Sequence, residues 1–386
     1  MAYWRNTTVN LLNLHYGIHA LALDGGGVFL RVFLLKAGLS APAVLVVVAL
    51  ILVGRFVLRP LVLVAAKRVG LRAVVVFGTI ATALQYPCLA LVHGFDTWLA
   101  ALIVTAAIGD AFYWTSYHAY FAALGDAEHR GHQIGAREAL AALVGIAAPL
   151  IGGWALTTLG PQIAFNTTAG VQLLAALPLL ATPDIAIARH APGAFKAALR
   201  GVMLFAADGW ICAGYHFVWQ IALFLSLGES FTAFGGAMAL AALTGAVAGM
   251  FLGRYIDAGH GGRAVWLAFA ALTLTTLLRA ASAEPVMAVA ANALGALVVC
   301  LYVPTMMTAV YNQAKGSPCT LRFHVASEGG WDVGCASGSF ASAALIAAGA
   351  PLWSAILLSL GGAVTTLVLL RGYYAQLRDA RPTIGA

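Results

Sequence analysis

Long apolar runs follow one another along this chain with scarcely a charge inside them, and that pattern leaves few folds open. A bilayer core takes about 20 mostly apolar residues per helix, and on that rule twelve spans fall at roughly 9–36, 41–64, 72–94, 97–124, 134–158, 162–182, 201–227, 232–256, 264–282, 285–312, 323–348 and 351–371. Only 9% of the 386 residues are charged, against about 25% in a soluble domain. Polar groups cannot cover such a surface, so lipid must, and an all-α multi-pass membrane protein is expected. The formal charge of +7 is then a topology signal and not a nucleic-acid footprint. All 21 Lys and Arg except Arg31, Lys36, Arg55 and Arg279 fall on the side of the N-terminus. Both termini are therefore expected in the cytoplasm, with the chain in a bacterial inner membrane.

Arg5, an apolar run and Ala20-Leu21-Ala22 imitate a signal peptide, but Asn13, His15, Tyr16 and His19 interrupt it, so a retained first span is expected. The cysteines at 88, 212, 300, 319 and 335 have no CxxC spacing and read as small buried hydrophobes.

The chain also reads twice. Lys67-Arg68-Val69-Gly70 and Asp257-Ala258-Gly259-His260 each follow an apolar run, 190 residues apart, and Glu138 and Glu328 have the same separation. In a membrane chain a repeat of this size points to two halves around a central site. Pro183, Pro192 and Gly193 punctuate the middle connection. The expected domains are 1–185 and 201–386, joined by a cytoplasmic linker at 186–200.

Gly253-Arg254-Tyr255-Ile256-Asp257, with Gly259, His260 and Arg263 after it, resembles a loop motif of the major facilitator superfamily. Gly145-Ile146-Ala147-Ala148-Pro149-Leu150-Ile151-Gly152-Gly153 resembles that family's antiporter motif, with Ala148 replacing a Gly. In the first copy of the loop, Lys67 or Ala66 stands where the family has Asp. The resemblance implies twelve transmembrane helices in two pseudo-symmetric six-helix bundles, with the first, fourth, seventh and tenth helices lining a cavity. It also implies that the loop acid docks at the start of the eleventh helix. With Lys67 there, a latch of reversed polarity is expected, Glu328 and Asp332 facing Lys67 or Arg59. In the other half Asp257 would dock beside Arg137 and Glu138.

Asp at a helix centre costs roughly 2.5–3.5 kcal/mol, so ionisable groups in spans usually face a cavity. Asp24 and Arg31 share one face of the first span, and Gly25-Gly26-Gly27 between them permits a bend or a close approach. Asp110, Tyr113, Trp114, Tyr117 and His118 mark the fourth span; Asp208, His216, Trp219 and Gln220 mark the seventh; Tyr302 lies on the tenth. By resemblance the substrate sits between these stripes, touching His19, Arg31, Tyr113, Trp114, Tyr117, His118, His216, Trp219, Gln220 and Tyr302. Desolvation favours the neutral form of a carboxylate, so Asp24 and Asp110, then Asp208, are the expected proton carriers. His19, His118 and His216 compete for that role. Arg31 or Arg55 can clamp an anion or pair with an acid.

The leading expectation is a monomeric, cofactor-free secondary transporter, proton-coupled, moving a small organic solute by alternating access. The aromatic stripes suggest a solute with ring or apolar surface, and the excess of acids leans cationic or neutral. No GxxxxGK[ST], HExxH or GxSxG occurs, which disfavours a pump or an enzyme. The alternatives are a copper-like metal transporter, from His15, His19 and Met306-Met307, and a non-transporting assembly factor or sensor on the same fold.

Overall fold

A computed structural model describes residues 6–124, 130–187, 190–257 and 261–379. Long helices fill these residues, and twelve of them recur in two sets. The first set is α1 (Thr7–Lys36), α2 (Ala41–Val69), α3 (Leu71–Ala90), α4 (Thr97–Leu124), α5 (Arg130–Thr158) and α6 (Pro161–Leu180). The second is α7 (Leu199–Ser226), α8 (Phe231–Asp257), α9 (Gly261–Ala281), α10 (Pro285–Lys315), α11 (Thr320–Ala347) and α12 (Leu352–Leu357 continuing as Ser359–Asp379). Each helix of the second set starts 188 to 192 residues after its counterpart, from Thr97 to Pro285 at one extreme and Thr7 to Leu199 at the other. The repeat in the sequence is thus a repeat of structure.

Local chemistry sets the helix starts. Asn6 caps α1 by accepting from the Val9 N–H at 3.1 Å, and Asp96 caps α4 by accepting from the Leu99 N–H at 2.8 Å. Pro161 and Pro285 occupy the first turns of α6 and α10, where no amide donor is needed. Gly70 closes α2 at φ 82°, a conformation costly for other residues. Asp184, just ahead of the linker, accepts from the Arg72 N–H at 2.9 Å, placing an acid at the N-terminus of α3.

Ten of the described helices have the length and hydropathy to cross a bilayer. The described part of α9 suited to this is short, Val265–Ala281. α11 is not among the ten and carries Arg322, Glu328 and Asp332, all buried. Arg59 and Arg322, expected at the water-facing end, are buried instead, and so is Arg279, expected in a loop on the opposite side.

The bundles meet along two seams, α2 against α11 and α5 against α8. Small residues set the distances. A Cβ on Gly330 or Gly334 of α11 would collide with the Val202 or Ala206 carbonyl of α7. At Gly26 the first helix breaks into a single 3-10 turn, Gly27–Phe29, and the Gly25 carbonyl lies against Gly152 of α5. The expected close approach at Gly25-Gly26-Gly27 is present. Away from the termini, Phe29 and Phe33 of α1 interlock with Phe224, Phe231 and Phe234 of α7 and α8, at ring-centroid distances of 5.4 to 6.4 Å. This cluster joins the bundles and closes that end. Lys36 and Glu229 pair above it at 3.0 Å with both side chains about two-fifths exposed.

Candidate functional site

Between the aromatic seal and the terminal end lies a band of charge drawn from six helices. Arg55 and Arg59 stand one turn apart on α2; Glu328 and Asp332 stand one turn apart on α11. The spacing puts each pair on one helix face, and the α2–α11 seam brings the faces together. Arg59 donates through Nε to Asp332 at 2.5 Å and through Nη1 to Glu328 at 2.9 Å. Its Nη1 also donates to the Thr115 hydroxyl of α4 at 2.5 Å. Arg55 lies 3.2 Å from Asp332 and 3.6 Å from Asp110 of α4. Three acids and two guanidiniums therefore form one buried network across both bundles. Here Arg59, not Lys67, faces the acids; Lys67 is exposed at the end of α2. The side chains of Arg137, Glu138 and Asp257, expected in the second latch, lie outside the described residues.

Two other acids have no cationic partner within ion-pair distance among the described residues. Asp24 sits at the α1 break, beside Gly145 of α5. Asp208 of α7 accepts from the Trp331 indole N–H at 3.1 Å. Trp331 also places its ring 5.4 Å from the Arg55 guanidinium.

Closer to the seal, Arg31 of α1 crosses to the second bundle. Its Nε donates to the Gln220 side-chain oxygen at 2.6 Å, and its guanidinium lies 4.6 Å from the Phe217 ring centroid. A π-helical stretch, Ala213–Val218, interrupts α7 here and frees backbone acceptors. The Tyr215 carbonyl within it accepts from Arg279 at 2.5 Å. Arg279 also stacks 3.8 Å from the Tyr215 ring. His216 of the same stretch is exposed into the space between the bundles.

The aromatic stripes divide by helix face. Trp114 and His118 are partly exposed, and His118 stacks on His324 of α11 at 6.4 Å. The other rings lie inside the bundles in this structure. Tyr113 and Tyr117 are fully buried in the first bundle. The Tyr113 hydroxyl meets His15 Nε2 at 3.1 Å. His19 is buried on the Gln172 side chain at 3.0 Å, and Trp219 is buried with its indole N–H donating to Asn292 at 3.0 Å. Rings that carry a polar atom found partners inside a bundle and so turned away from the cavity. The sequence reading missed Thr115 and Trp331 and gave Arg55 no gate role. The signal for Arg55 was the i, i+4 pair Arg55–Arg59 matching Glu328–Asp332.

A profile for the Major Facilitator Superfamily matches residues 14–225. Among solved structures, an auto-inhibited POT family peptide transporter superposes with a TM-score of 0.66 at 12% identity, covering 98% of this chain and 99% of that one. A POT family transporter in complex with 5-aminolevulinic acid superposes with a TM-score of 0.73 at 11% identity, covering 95% and 96%. At these identities the likeness is one of fold. No curated protein sequence matches the chain.

Proposed function

The chain belongs to the major facilitator superfamily, a family of secondary transporters, and on that premise we propose that it couples proton movement to transport of a small organic solute. The two bodies are residues 1–185 and 201–386, joined by the 186–200 linker, which rock around the central site. The observation that carries the reading is the division among the buried acids. Asp110, Glu328 and Asp332 share Arg55 and Arg59 across the seam and act as a gate. Asp24 and Asp208 face no cation within ion-pair distance among the described residues, which leaves them as the carriers. The distribution of Lys and Arg supports cytoplasmic termini.

Reconstituted protein tests this reading. A pH gradient across proteoliposomes drives solute accumulation, and Asp24→Asn or Asp208→Asn leaves exchange but abolishes gradient-driven accumulation. Full accumulation in both variants refutes the proton assignment.

A further inference from the structure

Arg31, Arg55, Arg59 and Arg279 of the central region are not served alike. Arg55 and Arg59 have carboxylates within 3.6 Å. Arg279 is closed off, its charge met by the Tyr215 carbonyl and ring. Arg31 is partly exposed, and no carboxylate lies within ion-pair distance of it among the described residues. A cation inside a membrane span needs a compensating charge. Gln220 engages only Nε, and Phe217 lies 4.6 Å from the guanidinium, leaving the two Nη groups as donors.

We propose that Arg31 is the carboxylate clamp of the transported solute, which is therefore an organic acid. The inference rests on the transporter reading and names the substrate class of its site. An Arg fork matches a carboxylate with two parallel hydrogen bonds. The surroundings of Arg31 favour an anion: among the described residues the titratable groups that interact with it are His216, Cys212 and Cys335, and none is a carboxylate. Charge balance points the same way. The central region holds five acids, Asp24, Asp110, Asp208, Glu328 and Asp332, against Arg31, Arg55, Arg59 and Arg279. With protons on Asp24 and Asp208, three carboxylates face four guanidiniums, and one substrate carboxylate neutralises the remainder. The cationic or neutral solute suggested by counting acids alone is replaced by an anion, because the acids are either paired or proton-bearing.

The probe is a panel of aliphatic and aryl monocarboxylates, each with its amine and alcohol of the same skeleton, at millimolar concentration on the purified full chain. Binding is read as thermal stabilisation, and transport as gradient-driven uptake in proteoliposomes. The expected result is stabilisation by carboxylates and not by their amines or alcohols. Arg31→Gln weakens that binding about ten- to a hundredfold, the range of a charge-assisted hydrogen bond. Arg31→Lys, which keeps the charge and loses the fork, falls between. Stabilisation by amines or alcohols alone, by no panel member, or by carboxylates undiminished in Arg31→Gln overturns the assignment. Carboxylate binding lost in Arg31→Gln but with no response of uptake to the pH gradient sustains the clamp and sinks the proton coupling. Gradient-driven uptake of amines does the reverse.

Discussion

Replacing Arg59 with Gln strips Glu328 of its cation while Asp332 keeps Arg55 at 3.2 Å. Arg59 is 2% exposed and Glu328 7%, so water cannot substitute for the lost partner. Removing one member of a buried ion pair costs about 3–5 kcal/mol. The guanidinium belongs to α2 and the carboxylate to α11, so the cost falls mainly on the conformation in which this seam is closed. The equilibrium between closed and open seams should then shift by roughly two to nearly four orders of magnitude. Proton uptake by Glu328 makes that an upper bound. The assay is double electron–electron resonance between labels at Lys67 and Lys315, both exposed at the terminal end in opposite bundles. It uses a background lacking the five native cysteines. Arg59→Gln should lengthen the distance distribution, and adding Glu328→Gln should bring the short distance back because the network regains its wild-type net charge. An unchanged distribution in Arg59→Gln, or effects of the two substitutions that add to within about 0.5 kcal/mol, refutes the latch.

Other consequences concern packing and caps. Gly334→Ala drives a methyl into the Ala206 carbonyl and should cost about 1–3 kcal/mol, read as a lower Tm. Gly372→Ala, with nothing within 4 Å of the added carbon, should leave Tm unchanged or slightly raised. Asp96→Ala removes the cap of α4 and lowers Tm. The His93 and Leu99 amides hold the Asp96 carboxyl below its ordinary 3.8, so its stabilisation is complete above that value and fades as pH falls through the lower folded one. The wild-type and Asp96→Ala melting curves should therefore converge in strong acid. Swapping Lys36 and Glu229 should change Tm little, since an exposed pair contributes about 0–1 kcal/mol.

The spans were legible in the sequence because the cost of exposing polar groups to lipid acts on each helix separately. The helix starts at Asn6, Asp96, Pro161 and Pro285 were local as well, each set by residues within one turn. The repeat fixed the two-bundle plan, and the spacing of Glu328 to Asp332 announced one face of the gate. What the spacing of one helix could not decide was which face meets which neighbour. Tyr113, Tyr117, His19 and Trp219 lie on the polar stripes yet turn into the bundles, because Gln172, Asn292 and His15 offer partners from helices distant in sequence. Lys67 and Arg59 were equal candidates for the acids of α11, and the seam chose Arg59. Pairing is a property of two helices at a fixed distance, and here the α2–α11 contact sets it, with Gly329 of α11 facing Phe56 and the Arg59 stem of α2. Only that geometry separates Arg55 and Arg59, which have their acids, from Arg31, within ion-pair distance of which no carboxylate stands among the described residues.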